Sequence, residues 1–160
     1  MKAIFFDRDG VINDNSQHYY THKIEQWTFN PGIIELMSGL LNKGYKLFIV
    51  TNQGGVARGK YSKSDIVQLH LQVCNALKEK GIIITDIAVC PHHPLIENCL
   101  CRKPQPLMLE KLIARYHIDK AQSYMIGDSK SDGEAATQAG IKSIIVPKNK
   151  DVRQQINHIL

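Results

Sequence analysis

Three carboxylates, a hydroxyl and a lysine stand out because each follows, or lies close to, the end of an apolar run. Asp7 and Asp9 close the run Ala3 to Phe6 as Asp7-Arg8-Asp9-Gly10, and Thr51-Asn52 closes Tyr45 to Val50. Asp128 follows Ser123 to Gly127 with Asp132 just behind it, and Lys103 lies past a cysteine-rich stretch. Such a set suits one task, holding Mg²⁺ and a phosphoryl group, since Mg²⁺ favours a few carboxylates plus phosphate oxygens. A phosphate dianion repels an attacking carboxylate, so the ion and a lysine must neutralise it first. An aspartate after a strand is most often a turn or cap residue, so Asp7-x-Asp9 alone says little. The joint occurrence, in this order and at these places, carries the argument.

A second constellation is Cys90-Pro91-His92, a six-residue spacer, then Cys99-Leu100-Cys101. Three sulfurs and an imidazole are the inventory of a tetrahedral Zn²⁺ site, and each close pair lets one tight turn aim two ligands at one ion. Four protein ligands leave no position for water, so the zinc expected here is structural. It would shape a loop too poor in apolar residues to pack itself, and that loop runs straight into Arg102-Lys103-Pro104. His93 is expected to face solvent beside the site, and Cys74 to pack as a small apolar residue on its helix.

The elements that must position these residues alternate. Short apolar runs predict strands over 2–6, 45–50, 82–89, 123–126 and 142–146. Helices are expected from Asn30-Pro31 to a stop at Gly44, from the Ser62-x-x-Asp65 start to Gly81, over 106–116, over 132–139 and over 151–160. Strands separated by helices imply parallel pairing with right-handed crossovers, hence a three-layer α/β/α sandwich on a mostly parallel, Rossmann-like sheet. In such sheets ligands bind at the carboxyl ends of the strands, where the polar groups fall.

With 160 residues and 43% hydrophobic content the chain is expected to form one globular domain, 1–160, with the zinc loop at 90–101. No apolar stretch nears the ~20 residues that span a bilayer. The run after Met1-Lys2 is too short for a signal-peptide core, so a cytoplasmic home and no membrane partner are expected. The net charge of +5 is scattered. It suits an anionic small molecule, and the interleaved aromatics and basic stripe of a nucleic-acid groove are missing. A monomer is expected.

The motifs resemble those of the haloacid dehalogenase-like phosphatase superfamily over nearly the whole chain. Phe5-Phe6-Asp7-Arg8-Asp9-Gly10 matches its first motif, Val50-Thr51-Asn52 the second, Lys103 the third, and Gly127-Asp128-x-x-x-Asp132 the fourth. The resemblance implies a Mg²⁺-dependent hydrolase of phosphomonoesters. In it Asp7 is the nucleophile that forms an aspartyl-phosphate, and Asp9 the acid and then the base. Asp7, the Asp9 backbone carbonyl and Asp128 would hold Mg²⁺. Thr51 and Lys103 would steady the phosphoryl group, and Asp132 would support the metal site without binding the ion. The second and third motifs are 52 residues apart, and a helix, a strand and loops consume that interval. No separate cap fits.

A capless phosphatase with this cysteine loop before Arg-Lys-Pro resembles two families, the heptose 1,7-bisphosphate phosphatases and the histidinol-phosphate phosphatases. The stretch from Thr51 to Tyr61, with Ala57-Arg58-Gly59, is similar to the heptose family. That likeness implies removal of the 7-phosphate from D-glycero-D-manno-heptose 1,7-bisphosphate, in the making of a nucleotide-activated heptose for lipopolysaccharide. It implies substrate contacts from Arg102, whose planar fork suits phosphate, and from Asn52, Gln53, Gly54, Tyr20 and Arg58. Three departures are visible. Ser129 stands where many heptose phosphatases carry Lys, Leu107 replaces a usual Gly, and Gly54 a common Ser. Competing readings are a histidinol-phosphate or other small sugar-phosphate phosphatase, a nucleic-acid end phosphatase, and a zinc-stabilised scaffold without catalysis.

Overall fold

β1 (Ala3–Phe6) is a run of four fully buried residues whose alternate side chains go to opposite sides of one sheet. The computed structural model describes residues 1–156 of the chain. β1 is flanked by β2 (Lys46–Asn52) and β4 (Tyr124–Gly127), with β3 (Ile84–Cys90) outside β2 and β5 (Lys142–Ile145) outside β4. Every pairing is parallel. The chain therefore walks outward from β1 to β3, then crosses back to β4 on the other side. The crevice at β1 is the switch point, where a parallel sheet opens a ligand site.

Ile4 and Phe6 join the layer formed by α1 (Ile33–Asn42), α2 (Lys63–Glu79) and the single turn α5 (Arg153–Ile156). Ala3 and Phe5 join the opposite layer under α3 (Leu107–Tyr116) and α4 (Lys130–Ala139). The α2 stripe of Ile66, Leu69, Val73 and Leu77 is buried as its spacing predicts. Full burial of each large apolar side chain is worth roughly 1.5–3 kcal/mol, so the β1 pairings are well anchored beneath the site.

The element ends differ from expectation in instructive ways. β2 continues through Thr51 and Asn52, which still pair with Val89 and Cys90. β3 starts at Ile84 rather than Ile82, because Ile82 and Gly81 (φ 76°) close α2 by bonding back to Leu77 and Lys78. α4 begins at Lys130, two residues before the expected Asp132, because the Ser129 backbone N–H and hydroxyl both donate to Asp132 Oδ2. The last expected helix is seen as the turn Arg153–Ile156, and 157–160 lie outside the described residues. Short 3₁₀ turns at Ile24–Gln26 and Lys120–Gln122 were not anticipated. Apart from the first of these and isolated bridges of Asn13 to Asp9 and to Phe29, the segments joining β1 to α1 and β2 to α2 are loops.

Candidate active site

Lys103 is the hub. Its ammonium is buried and reaches Asp7 Oδ1 at 2.9 Å, Asp132 Oδ1 at 2.6 Å and the Val50 carbonyl at 2.8 Å. Three acceptors match its three protons. Burial alone would lower its pKa, but the two carboxylates outweigh burial and raise it. Its backbone is fixed as well. The Asn52 amide donates to the Lys103 carbonyl at 3.1 Å and accepts from the Lys103 N–H at 3.0 Å.

Asp7 sits one residue past β1, and its Oδ1 also accepts from the Arg8 N–H at 2.7 Å. Burial first, then the Asp132 charge, push its carboxyl up to about 7 against the pull of Lys103. Asp128 is raised for the same two reasons. Carboxylate oxygens of Asp7, Asp128 and Asp132 lie within 4.8 Å of one another. Like charges this close call for a cation, and a hard divalent ion with oxygen ligands fits. Both Asp132 oxygens are already engaged, one by Lys103 and one by Ser129.

Asp9 is held from three sides. Its Oδ1 accepts from Arg8 Nη2 at 2.8 Å and Asn13 Nδ2 at 3.1 Å, and its Oδ2 from Gln53 Nε2 at 2.8 Å. Gln53 also donates to Thr51 Oγ1 at 2.8 Å, while its carbonyl accepts from the Tyr61 hydroxyl at 2.7 Å. With its oxygen accepting, the Thr51 hydroxyl keeps its proton to donate. Arg8 is fully buried, and also donates to the Thr21 carbonyl and pairs with His70. Burial and then the Arg8 charge push His70 down to about 3, so it is neutral beside Arg8.

These groups open into a cleft of about 200 Å³ lined on one side by Gly54, Arg58, His93, Arg102 and Tyr20. Arg58 donates to the Tyr20 hydroxyl at 3.2 Å, and Arg102 to the His92 carbonyl at 3.0 Å. A Cβ on Gly54 would approach His93 to 2.9 Å and Arg102 to 3.1 Å, so glycine keeps this wall open. All six residues named for substrate contact line this cleft, with the Asn52 and Gln53 amides already bonded to protein. His93, expected merely to face solvent, lines it too. Arg8, Asn13, Tyr61, His70 and Lys148 were not anticipated. Arg8 and Asn13 were near enough to the first motif to be suspected, whereas His70 and Lys148 reach the site only through folding.

Beside the cleft, Cys90, His92, Cys99 and Cys101 gather their ligand atoms in one cluster. The Cys90 sulfur lies 3.1 Å from that of Cys101 and 3.7 Å from that of Cys99, and His92 Nδ1 is 3.2 Å from the Cys101 sulfur. The four cysteines are free thiols. Burial opposes ionisation of Cys99, but the backbone amides of Arg102 and Cys101 bring it down to about 7. Three soft sulfurs and an imidazole in this arrangement fit a tetrahedral metal.

A family model described as HAD-hydrolase-like matches residues 100–159. The chain is 38% identical to the D-glycero-beta-D-manno-heptose-1,7-bisphosphate 7-phosphatase of Pasteurella multocida, over 99% of this chain and 91% of that protein. It is 41% identical to a D-glycero-alpha-D-manno-heptose-1,7-bisphosphate 7-phosphatase of Photorhabdus laumondii, over 92% and 83%. Among solved structures, the D,D-heptose 1,7-bisphosphate phosphatase of B. bronchiseptica, complexed with magnesium and phosphate, superposes with a TM-score of 0.86. It is 33% identical, covering 99% of this chain and 87% of that one. The chain belongs to the haloacid dehalogenase-like hydrolase family and is a phosphatase. Within the family, its named relatives at about 40% identity are heptose 1,7-bisphosphate 7-phosphatases.

Proposed function

We propose that the chain is a Mg²⁺-dependent phosphatase that removes the 7-phosphate of D-glycero-D-manno-heptose 1,7-bisphosphate through an aspartyl-phosphate on Asp7. The observation that carries this reading is the convergence of Asp7, Lys103, Asp128 and the proton-bearing Thr51 hydroxyl at one switch-point crevice. Asp7 and Asp128, with the Asp9 backbone carbonyl, would hold Mg²⁺. The ion supplies charge neutralisation at the phosphoryl oxygens when bound. A carboxylate oxygen of Asp7 attacks phosphorus, and the bond to the sugar oxygen breaks. Asp9 gives that leaving oxygen a proton, then takes one from the water that attacks phosphorus and frees Asp7. Thr51 donates to a phosphoryl oxygen while charge shifts, and the Lys103 ammonium, bonded to Asp7, Asp132 and the Val50 carbonyl, steadies the phosphoryl group by its charge. Arg8, Asn13 and Gln53 keep the Asp9 carboxyl aimed, and Asn52 keeps Lys103 in place.

The bisphosphate reading, rather than histidinol phosphate, is supported by the paired Arg58 and Arg102 on one wall, cations beyond what a single phosphate needs. Zinc held by Cys90, His92, Cys99 and Cys101 would order the loop that delivers Arg102 and Lys103. No helix among the described residues is long and apolar enough to cross a membrane, in keeping with a cytoplasmic enzyme acting on a small sugar phosphate. The test is phosphate release by zinc-loaded protein with Mg²⁺ on both heptose bisphosphate anomers, histidinol phosphate and a 5′-phosphorylated DNA end. One heptose anomer should lead in kcat/KM. A lead for histidinol phosphate or the DNA end overturns the substrate assignment.

A further inference from the structure

The Arg58–Arg102 wall has a counterpart across the cleft. There the segment between β5 and α5 contributes Lys148, the one Lys or Arg lining that side among the described residues. This segment is tied down. Val146 donates its N–H to the Gly127 carbonyl, and Val146 and Val152 are buried in the core. Between them Asn149 adopts φ 55°, a left-handed conformation that asparagine tolerates better than most residues. Its N–H donates to the Gly10 carbonyl at 2.8 Å, and its side-chain oxygen accepts from the Asn15 N–H at 3.2 Å. The neighbour of Lys148 is thus bonded to the loop that carries Asp7 and Asp9.

That anchoring lays the Lys148 stem across Gly10. A Cβ at Gly10 would come within 2.9 Å of Lys148 Cγ, and would also collide with the Asp128 carboxylate. Glycine there, at φ 91°, leaves room for the lysine and the carboxylate to sit side by side. Lys148 makes no ion pair of its own among the described residues and acts on Asp128 only through space. Arg58 and Arg102 already donate to protein oxygens. Among the described residues that line the cleft, the cation with all its donors available is therefore Lys148, held there by a bonded backbone.

We propose that Lys148 is a specificity-determining residue that grips the non-transferring phosphate of a bisphosphate substrate from the β5 side, opposite Arg58 and Arg102. The inference rests on the bisphosphate reading above. A dianion at the cleft mouth would sit between cations from two walls, so its position across the cleft would be set from both sides. Such a contact forms with substrate and persists to the transition state, so its loss should appear in KM rather than kcat.

The experiment compares wild type, Lys148→Gln and Lys148→Arg on paired substrates: heptose 1,7-bisphosphate against heptose 7-phosphate, and fructose 1,6-bisphosphate against fructose 6-phosphate. Lys148→Gln should raise the bisphosphate KM about tenfold more than the monophosphate KM, and Lys148→Arg should recover most of that difference. An equal change on both members of each pair overturns the proposal and makes Lys148 a neutraliser of Asp128. A fall in kcat with KM unchanged, or no change, also overturns it. If wild type shows no heptose preference, the substrate assignment fails by itself. The bisphosphate-to-monophosphate contrast in the fructose pair still decides the role of Lys148.

Discussion

Two polar clusters meet where Cys101 runs into Arg102-Lys103, and they are held together in opposite ways. In the Asp7–Lys103–Asp132 cluster, Asp7 follows the fully buried β1, Asp132 stands in the first turn of α4, and Lys103 arrives on the loop between β3 and α3. Its charges complete one another, and Lys103 uses all three protons on protein acceptors. The Cys90–Cys101 cluster leaves the edge strand β3 on a loop whose apolar residues, Leu95, Ile96 and Leu100, point into solvent. Of the loop's residues, the cysteines themselves are what packs against the core. In the first cluster the protein supplies rigidity and a metal would add reactivity. In the second a metal would supply the rigidity, which then reaches the first cluster through Arg102 and Lys103.

Removing the nucleophile should have the largest effect and leave the framework alone. Asp7→Asn should lower kcat by roughly 10⁴-fold or more, with circular dichroism and melting temperature close to wild type. Asparagine keeps an acceptor for Lys103 and relieves repulsion with Asp132. Turnover near wild type would end the covalent assignment.

Zinc removal should separate the clusters next. Structural Zn²⁺ binds with about 10–16 kcal/mol of apparent free energy in small sites, so a strong chelator or Cys99→Ser should release the loop. Hydrogen exchange should accelerate over 91–105 while β1, β2 and β4 keep their protection, and activity should fall roughly 10- to 100-fold. Uniform loss of protection through the sheet would show the two regions to be one cooperative unit.

The smallest effect is a gradient with pH. Asp7 is raised from 3.8 to about 7, so without metal it carries a proton over that interval. Mg²⁺ needs the carboxylate, so its apparent affinity should weaken as pH falls below about 7, approaching tenfold per pH unit. Calorimetric titrations of Mg²⁺ at pH 5.5, 6.5 and 8 check this, and equal affinity throughout would mean that Asp7 is not a ligand. The same shift acts on stability with its own sign. The metal-free fold binds more protons than the unfolded chain between 3.8 and about 7, so this contribution is present in acid and lost as pH rises through 7.

The inventory of elements and reactive groups was legible from the residues. Short apolar runs and stripes of period 3.6 placed all five strands and the first four helices within a few residues, since burial leaves a local trace. Asp7, Asp9, Thr51, Lys103, Asp128 and the Cys-His-Cys-Cys set were legible because strand ends and ligand spacing are local too. Which of these groups meet came only with the fold. The strand order β3-β2-β1-β4-β5 brings Lys148 beside Gly10, 138 positions earlier in the chain. It also sets His70 of α2 against Arg8 and turns the Asn52 and Gln53 amides inward as braces for Lys103 and Asp9. Those contacts depend on long-range pairing and on which polar atoms burial obliges to find partners, and neither leaves a mark in any short window of residues.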